Sequence, residues 1–144
     1  MSATADSSLI VALYLNEADS PRADAACAAV QPPVLLTDWH RVEIANAFQR
    51  AVKTARITAA QAAQLWQDFT SDIAAGRFEI ITPDYAAVLA RTLALTDKHT
   101  ATLGTRTLDL IHIAAALEIG AADFLSFDHR QRQTASAEGM NVIP

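Results

Sequence analysis

Four carboxylates far apart in the chain hold the chemistry this sequence could perform: Asp6, Glu43, Asp109 and Asp128. Asp6 follows the run Ser2 to Ala5, which can form only a short, weak strand, and precedes the apolar stretch Leu9 to Leu15. Glu43 comes early in a helical segment, Asp109 opens another, and Asp128 ends a strand-like segment that begins at Asp123. In open parallel sheets ligands bind outside the carboxyl ends of the strands, so these four acids would converge on one edge. Buried together they would repel and raise one another's pKa. A hard divalent cation resolves that conflict. Magnesium or manganese takes oxygen ligands, keeps several waters and leaves positions for a phosphate. Such an ion can activate water and shield the charge of the phosphate.

Each acid also has a purely local reading. Asp109 can cap or neutralise its helix end together with Arg106. Asp6 can be the N-cap of the helix that follows, a role open equally to Ser7 and Ser8. Glu43 can be a solvated flank, as most glutamates are. His112 lies three residues after Asp109 and shares its flank, where it would touch substrate, steady the carboxylate or bond a backbone group. His40 and His129 read as surface residues. Dispersed histidines and no cysteine cluster leave a zinc site without support. Asp38, Asp84 and Asp123 have ordinary cap or turn readings and stay outside the site.

The elements that must position these side chains follow from periodicity. Leu110, Ile113, Ala114 and Leu117 recur at helical spacing, with Thr107 as the expected N-cap and Gly120 as the stop. Pro21 to Val30 reads as an alanine-rich helix ended by Gln31-Pro32-Pro33, and Val34 to Thr37 as a buried parallel strand. Asp38 is the expected cap of a helix through about Thr54, whose apolar stripe is Ile44, Ala47, Phe48 and Ala51. Thr58-Ala59-Ala60-Gln61 matches a capping box and starts a helix carrying Ala62, Leu65, Trp66, Phe69 and Ile73. These two helices form a hairpin over 39–75 inserted between strands; Trp66 reads as core or as a partner contact. Phe78 to Thr82 is a strand, Thr82-Pro83 the expected start of a helix that fades near Lys98, and His99 to Thr105 a loop. A short helix in the 130s and a strand at Asn141-Val142-Ile143 complete the pattern. Strands alternate with helices, which predicts an α/β fold: a parallel sheet of four to five strands covered on both faces, in one domain over 1–144.

Composition narrows the options. The chain has 144 residues, is 51% hydrophobic, and carries four glycines and five prolines, as an ordered globular domain does. Its single cysteine, Cys27, excludes an intramolecular disulfide and suits a reducing cytosol. Neither a basic leader nor an apolar run of membrane-spanning length is present, so the sequence reads as soluble and cytoplasmic. A net charge of −5 argues against a non-specific nucleic-acid binder. Arg41, Arg50, Lys53 and Arg56 nevertheless cluster along one segment, and His129, Arg130 and Arg132 along another.

Four segments occur in an order that resembles a known family. They are Asp6-Ser7-Ser8 before an apolar helix, Trp39 to Ala47 with Glu43 inside it, Arg106 to Ala114 with Asp109 and His112, and Phe124 to Asp128. Together they resemble the PIN-domain ribonucleases, in particular the VapC-like toxins of type II toxin–antitoxin systems, over nearly the whole chain. The resemblance implies a three-layer α/β/α domain. It implies that Asp6, Glu43, Asp109 and Asp128 hold one or two Mg²⁺ or Mn²⁺ ions, with Ser7 or Ser8 supporting a metal water or positioning Asp6. Arg106 and His112 are expected as supporting residues. The implied reaction is hydrolysis of an RNA phosphodiester to a 5′-phosphate and a 3′-hydroxyl. The implied partners are RNA, a cognate antitoxin that blocks the acidic pocket, and a second copy in a homodimer. A binding or regulatory module that keeps the pocket without turnover is the competing expectation. A receiver-like phospho-acceptor is disfavoured, because Asp6 has no acidic neighbour and no lysine follows Lys98. No glycine-rich Lys-Ser/Thr segment exists for a P-loop.

Overall fold

The computed structural model describes residues 1–144. Its sheet is built around β1 (Ala3–Ala5), which pairs in parallel with β2 (Val34–Leu36) on one side and β4 (Asp123–Leu125) on the other. β3 (Phe78–Ile80) adds outside β2 and β5 (Asn141–Ile143) outside β4, giving five parallel strands in the order β3-β2-β1-β4-β5. The register sets Ala3 between Val34 and Asp123. The weakest strand former in the sequence is thus the central strand. Its backbone is bonded along both edges, and the completely buried Ala3 and Ala5 leave room for helices to pack closely.

Eight α-helices connect the strands: α1 (Ser7–Tyr14), α2 (Ser20–Ala28), α3 (Asp38–Lys53), α4 (Ala59–Ala74), α5 (Tyr85–Leu95), α6 (Ala101–Leu103), α7 (Thr107–Glu118) and α8 (His129–Ala137). They form two layers. Leu125 packs with α1 to α4 in one apolar cluster, whereas its strand neighbour Phe124 packs with residues of α5, α7 and α8 in the other. Successive strand residues point to opposite faces, so the split assigns one cluster to each face of the sheet. The architecture is α/β/α, consistent with a PIN-like fold. Trp66 is half-buried against Phe69, with ring centroids 5.5 Å apart, and belongs to the first cluster.

Several local expectations are corrected. Thr37, not Asp38, is the N-cap of α3; Asp38 falls in the first turn and pairs with Arg41 at 3.3 Å. Asp84, not Thr82, caps α5, accepting from the backbone N–H of Ala86 and Ala87. Arg106, not Thr107, is the N-cap of α7. The expected loop over His99 to Thr105 is largely helical: a π-helical turn at Thr96–Thr100 runs into α6, and Gly104 at φ 67° ends it. The strand through Asp128 stops at Leu125, and Asp128 instead caps α8 by accepting from Gln131 N at 2.8 Å.

Candidate active site

Chain order and strand order diverge at β1. From it the chain moves outward through β2 and β3, then returns to the other side for β4 and β5. The crevice beyond the carboxyl ends of β1 and β4 is therefore a topological switch point, where α/β sheets bind ligands. Asp6 leaves β1 at this point and Asp128 lies three residues past β4. α7 runs back along the sheet, which brings its first turn and Asp109 to the same edge, and α3 delivers Glu43 from the β2 side. All four acids line one open cavity of about 700 Å³.

Each carboxylate is held. Asp6 is 93% buried and is indeed the N-cap of α1; its Oδ2 accepts from the backbone N–H and the hydroxyl of Ser8. Capping and facing the cavity are one geometry here, so the capping role of Asp6 leaves its carboxylate at the cavity. Ser7 turns away from Asp6, its Oγ 3.4 Å from His112 Nε2. Asp109 accepts from Arg106 Nε at 3.0 Å. Burial pushes the Asp109 carboxyl up; Arg106 opposes that push, while Asp6 and Asp128 add to it.

Glu43 accepts from His112 Nε2 at 3.0 and 3.2 Å. Burial is the largest single influence on Glu43 and opposes its ionisation. The bond and charge of His112, the Ser7 hydroxyl and His40 together outweigh it and hold the carboxyl below its usual range. On the His112 side burial disfavours charge, and the carboxylates of Glu43, Asp6 and Asp109 lift the ring above the ordinary histidine range. His112 thus steadies Glu43 and not, as expected, the neighbouring Asp109 carboxylate.

His40 corrects the sequence reading. It is 1% exposed, not a surface residue. Its Nδ1 accepts from Thr37 N–H at 2.9 Å and its Nε2 lies 2.7 Å from the carbonyl of Ala5. An acceptor at Nδ1 leaves the proton on Nε2, so the ring is neutral and donates to Ala5. Burial, reinforced by nearby His112, pushes the His40 pKa down to about 3. The ring ties the residue before Asp6 to the start of α3 and packs on His112, with ring centroids 4.4 Å apart. His129 is exposed, as expected.

The structure adds Gln131, a residue that sequence reasoning missed. It is completely buried and reaches Asp6 through Nε2 at 3.2 Å. Of the basic cluster, Arg50 joins the cavity wall, as do Arg106 and Glu17. Arg56 pairs with Glu17 at 3.4 Å.

No three Asp, Glu, His or Cys side chains stand close enough to form a metal-ligand group. The donors facing the cavity are nevertheless all oxygen, the set a hard cation takes. Magnesium is commonly held by only one or two carboxylates and completes its octahedron with water and phosphate. The arrangement therefore fits a hydrated, open ion and does not fit a closed structural cage.

Fold and pocket define an α/β/α domain with an acidic cleft at its switch point. No family model matches the chain, and no curated protein matches it in sequence. Among solved structures it is similar to a chain of a toxin–antitoxin complex from Klebsiella pneumoniae. The two share 16% identity and superpose with a TM-score of 0.69, over 99% of this chain and 97% of that one. At that identity the likeness establishes the common fold.

Proposed function

We propose that this chain is a PIN-type, Mg²⁺- or Mn²⁺-dependent endoribonuclease that acts as the toxin of a toxin–antitoxin pair. The observation that carries the reading is the convergence of Asp6, Glu43, Asp109 and Asp128, from four separate segments, on one cavity. One or two of Asp6, Glu43, Asp109 and Asp128 would ligate the cation directly and the others would hold its waters. When bound, it supplies a water of lowered pKa and positive charge for the scissile phosphate. The protein's own groups do the rest. Ser8 and Gln131 fix Asp6, His112 fixes Glu43, and Arg106 and Arg50 place positive charge in the wall where a phosphodiester would enter. Hydrolysis adds water across the P–O3′ bond, leaving a 5′-phosphate and a 3′-hydroxyl. The partner reading draws support from the structural neighbour, which is described as a toxin–antitoxin complex. An antitoxin would close the acidic cleft with a basic side chain. A homodimer and a cytoplasmic location belong to the same proposal; no helix is long and apolar enough to cross a membrane.

A second reading is a module that binds a cation or RNA without turnover. Two observations favour it: no three donors approach one another, and Arg106 already occupies Asp109. RNA cleavage by the purified protein, with Mg²⁺ or Mn²⁺ and with EDTA, separates the two. The proposal requires cleavage that needs metal and is abolished in Asp6→Asn and Asp109→Asn while circular dichroism stays unchanged. Activity that survives both substitutions would sink the assigned site. Binding of RNA or Mn²⁺ without cleavage would establish the second reading.

A further inference from the structure

Gln131 bonds to more parts of the cleft than any of the four acids, yet it has no charge and no surface. It lies in the first turn of α8 and is completely buried. Its backbone N–H donates to Asp128 Oδ1 at 2.8 Å. Its side-chain Oε1 accepts from the Ser126 hydroxyl at 2.6 Å. Its Nε2 donates to Asp6 Oδ1 at 3.2 Å and to the main-chain carbonyl of Asp109 at 3.4 Å. The orientation of the amide is fixed by chemistry. The end facing Asp6 and Asp109 meets only acceptors, a carboxylate and a carbonyl, and an oxygen there would be repelled. Ser126 accepts from Asp128 N–H at 3.1 Å and so keeps its own proton for Oε1.

We infer that Gln131 is a positioning residue: one buried amide that locks the Asp6 carboxylate in register with Asp109 and Asp128. The inference rests on the proposed nuclease reading for its catalytic consequence, but the lock itself is a property of the free protein. Ser8 holds Oδ2 of Asp6 and Gln131 holds Oδ1, so together they set the plane of the carboxylate. Without Gln131 that plane is free to turn about the Ser8 bond, and α8 loses its side-chain hydrogen bond to α7. Groups of this kind orient metal-binding carboxylates, and losing one costs about 10–100-fold in metal affinity or activity.

The test uses Gln131→Met, which keeps length and loses both polar ends, and Ser126→Ala, which keeps Gln131 but frees its amide to turn. With Gln131→Met, kcat for RNA cleavage should fall about 10–100-fold while KM stays within about threefold. Mn²⁺ affinity, read without RNA from the electron paramagnetic resonance of the free ion, should fall alongside it. Ser126→Ala should shift both in the same direction by less. A folded Gln131→Met with wild-type kcat and Mn²⁺ affinity would overturn the inference. Should wild type neither cleave RNA nor bind Mn²⁺, the nuclease reading fails, and nuclear magnetic resonance judges the lock alone. In wild type the Gln131 side-chain NH₂ should exchange slowly with solvent and shift in Asp6→Asn. Exchange at the rate of a surface glutamine would refute it. Should Gln131→Met not fold, Ser126→Ala and the NH₂ signal decide.

Discussion

Replacing His40 with glutamine should change how stability depends on pH, and the size of the change follows from the buried ring. The neutral imidazole accepts from Thr37 N–H and donates to the Ala5 carbonyl, and its pKa is pushed down to about 3. In the unfolded chain the same histidine protonates near about pH 6.5. Between those values the unfolded state holds the extra proton, so stability rises with pH by about 1.4 kcal/mol per unit. Read downward, the contribution is intact above about pH 6.5, and about 3 kcal/mol of it is gone by about pH 4.5. His112 and Glu43 face the ring, and their opposite effects on it are smaller than that of burial. A glutamine at this third position of α3 keeps a capping-box acceptor for Thr37 N–H. It leaves the Ala5 carbonyl unpaired, at a cost of about 1–3 kcal/mol near neutral pH. Urea unfolding of both proteins from about pH 4 to about pH 8 gives the difference curve. Wild type should be the more stable near neutrality, and its advantage should shrink below about pH 6 and reverse near about pH 5. Parallel curves over the whole range would refute the buried neutral histidine.

Two further perturbations probe the frame around the site. Phe69 is fully buried and touches Tyr14, Trp66 and Phe78, so Phe69→Ala should cost about 3–5 kcal/mol. That corresponds to a thermal midpoint roughly 6–20 °C lower; a drop of only a degree or two would contradict the packing of α4 on the sheet. Glu138 lies 2.6 Å from both Lys98 Nζ and His99 Nε2, which hold its carboxyl below the usual range. A depressed carboxylate stabilises above its unfolded pKa and loses that contribution as pH falls through the folded one. Stability should therefore drop on acidification through the carboxylate range, and Glu138→Gln should remove that part of the drop in the same urea assay.

What the sequence revealed depended on how local each signal was. The capping box at Thr58 and Gln61 was readable because both partners lie within one helical turn, and it is present. That the four acids share one cavity was foreshadowed because Asp6, Asp109 and Asp128 lie at or within a turn of element boundaries, while Glu43 flanks the apolar stripe of α3 in its second turn. The centrality of β1 was not: Ser2-Ala3-Thr4-Ala5 has little strand propensity, and only pairing with strands from two remote segments makes it the middle of the sheet. The caps at Thr37, Asp84 and Arg106 slipped by one or two residues because adjacent polar residues compete for one role. His40 and Gln131 were invisible for a different reason. Glutamine is usually left in water and histidine is only intermediate in burial, and their buried partners lie 125 and 35 positions away in sequence. A buried polar residue has no local signature when its hydrogen bonds are long-range. The segment from His99 to Thr105 read as loop because it is mostly polar and contains Gly104, although the backbone through Leu103 closes helical turns.

The central place of β1 also sets the order in which the cleft comes into being. β1 is synthesised before both of its neighbours, so one of its edges waits for β2 at residue 34 and the other for β4 at residue 123. Asp6 cannot meet Gln131 until the 125 positions that separate them have left the ribosome. Long-range pairing of this kind is late in folding, because the loop entropy must be spent before the contacts form. A nascent or prematurely ended chain lacking β4 therefore contains Asp6, Glu43 and even Asp109 without containing their cleft. The fold delays assembly of the cleft until β4 and α8 have both been made.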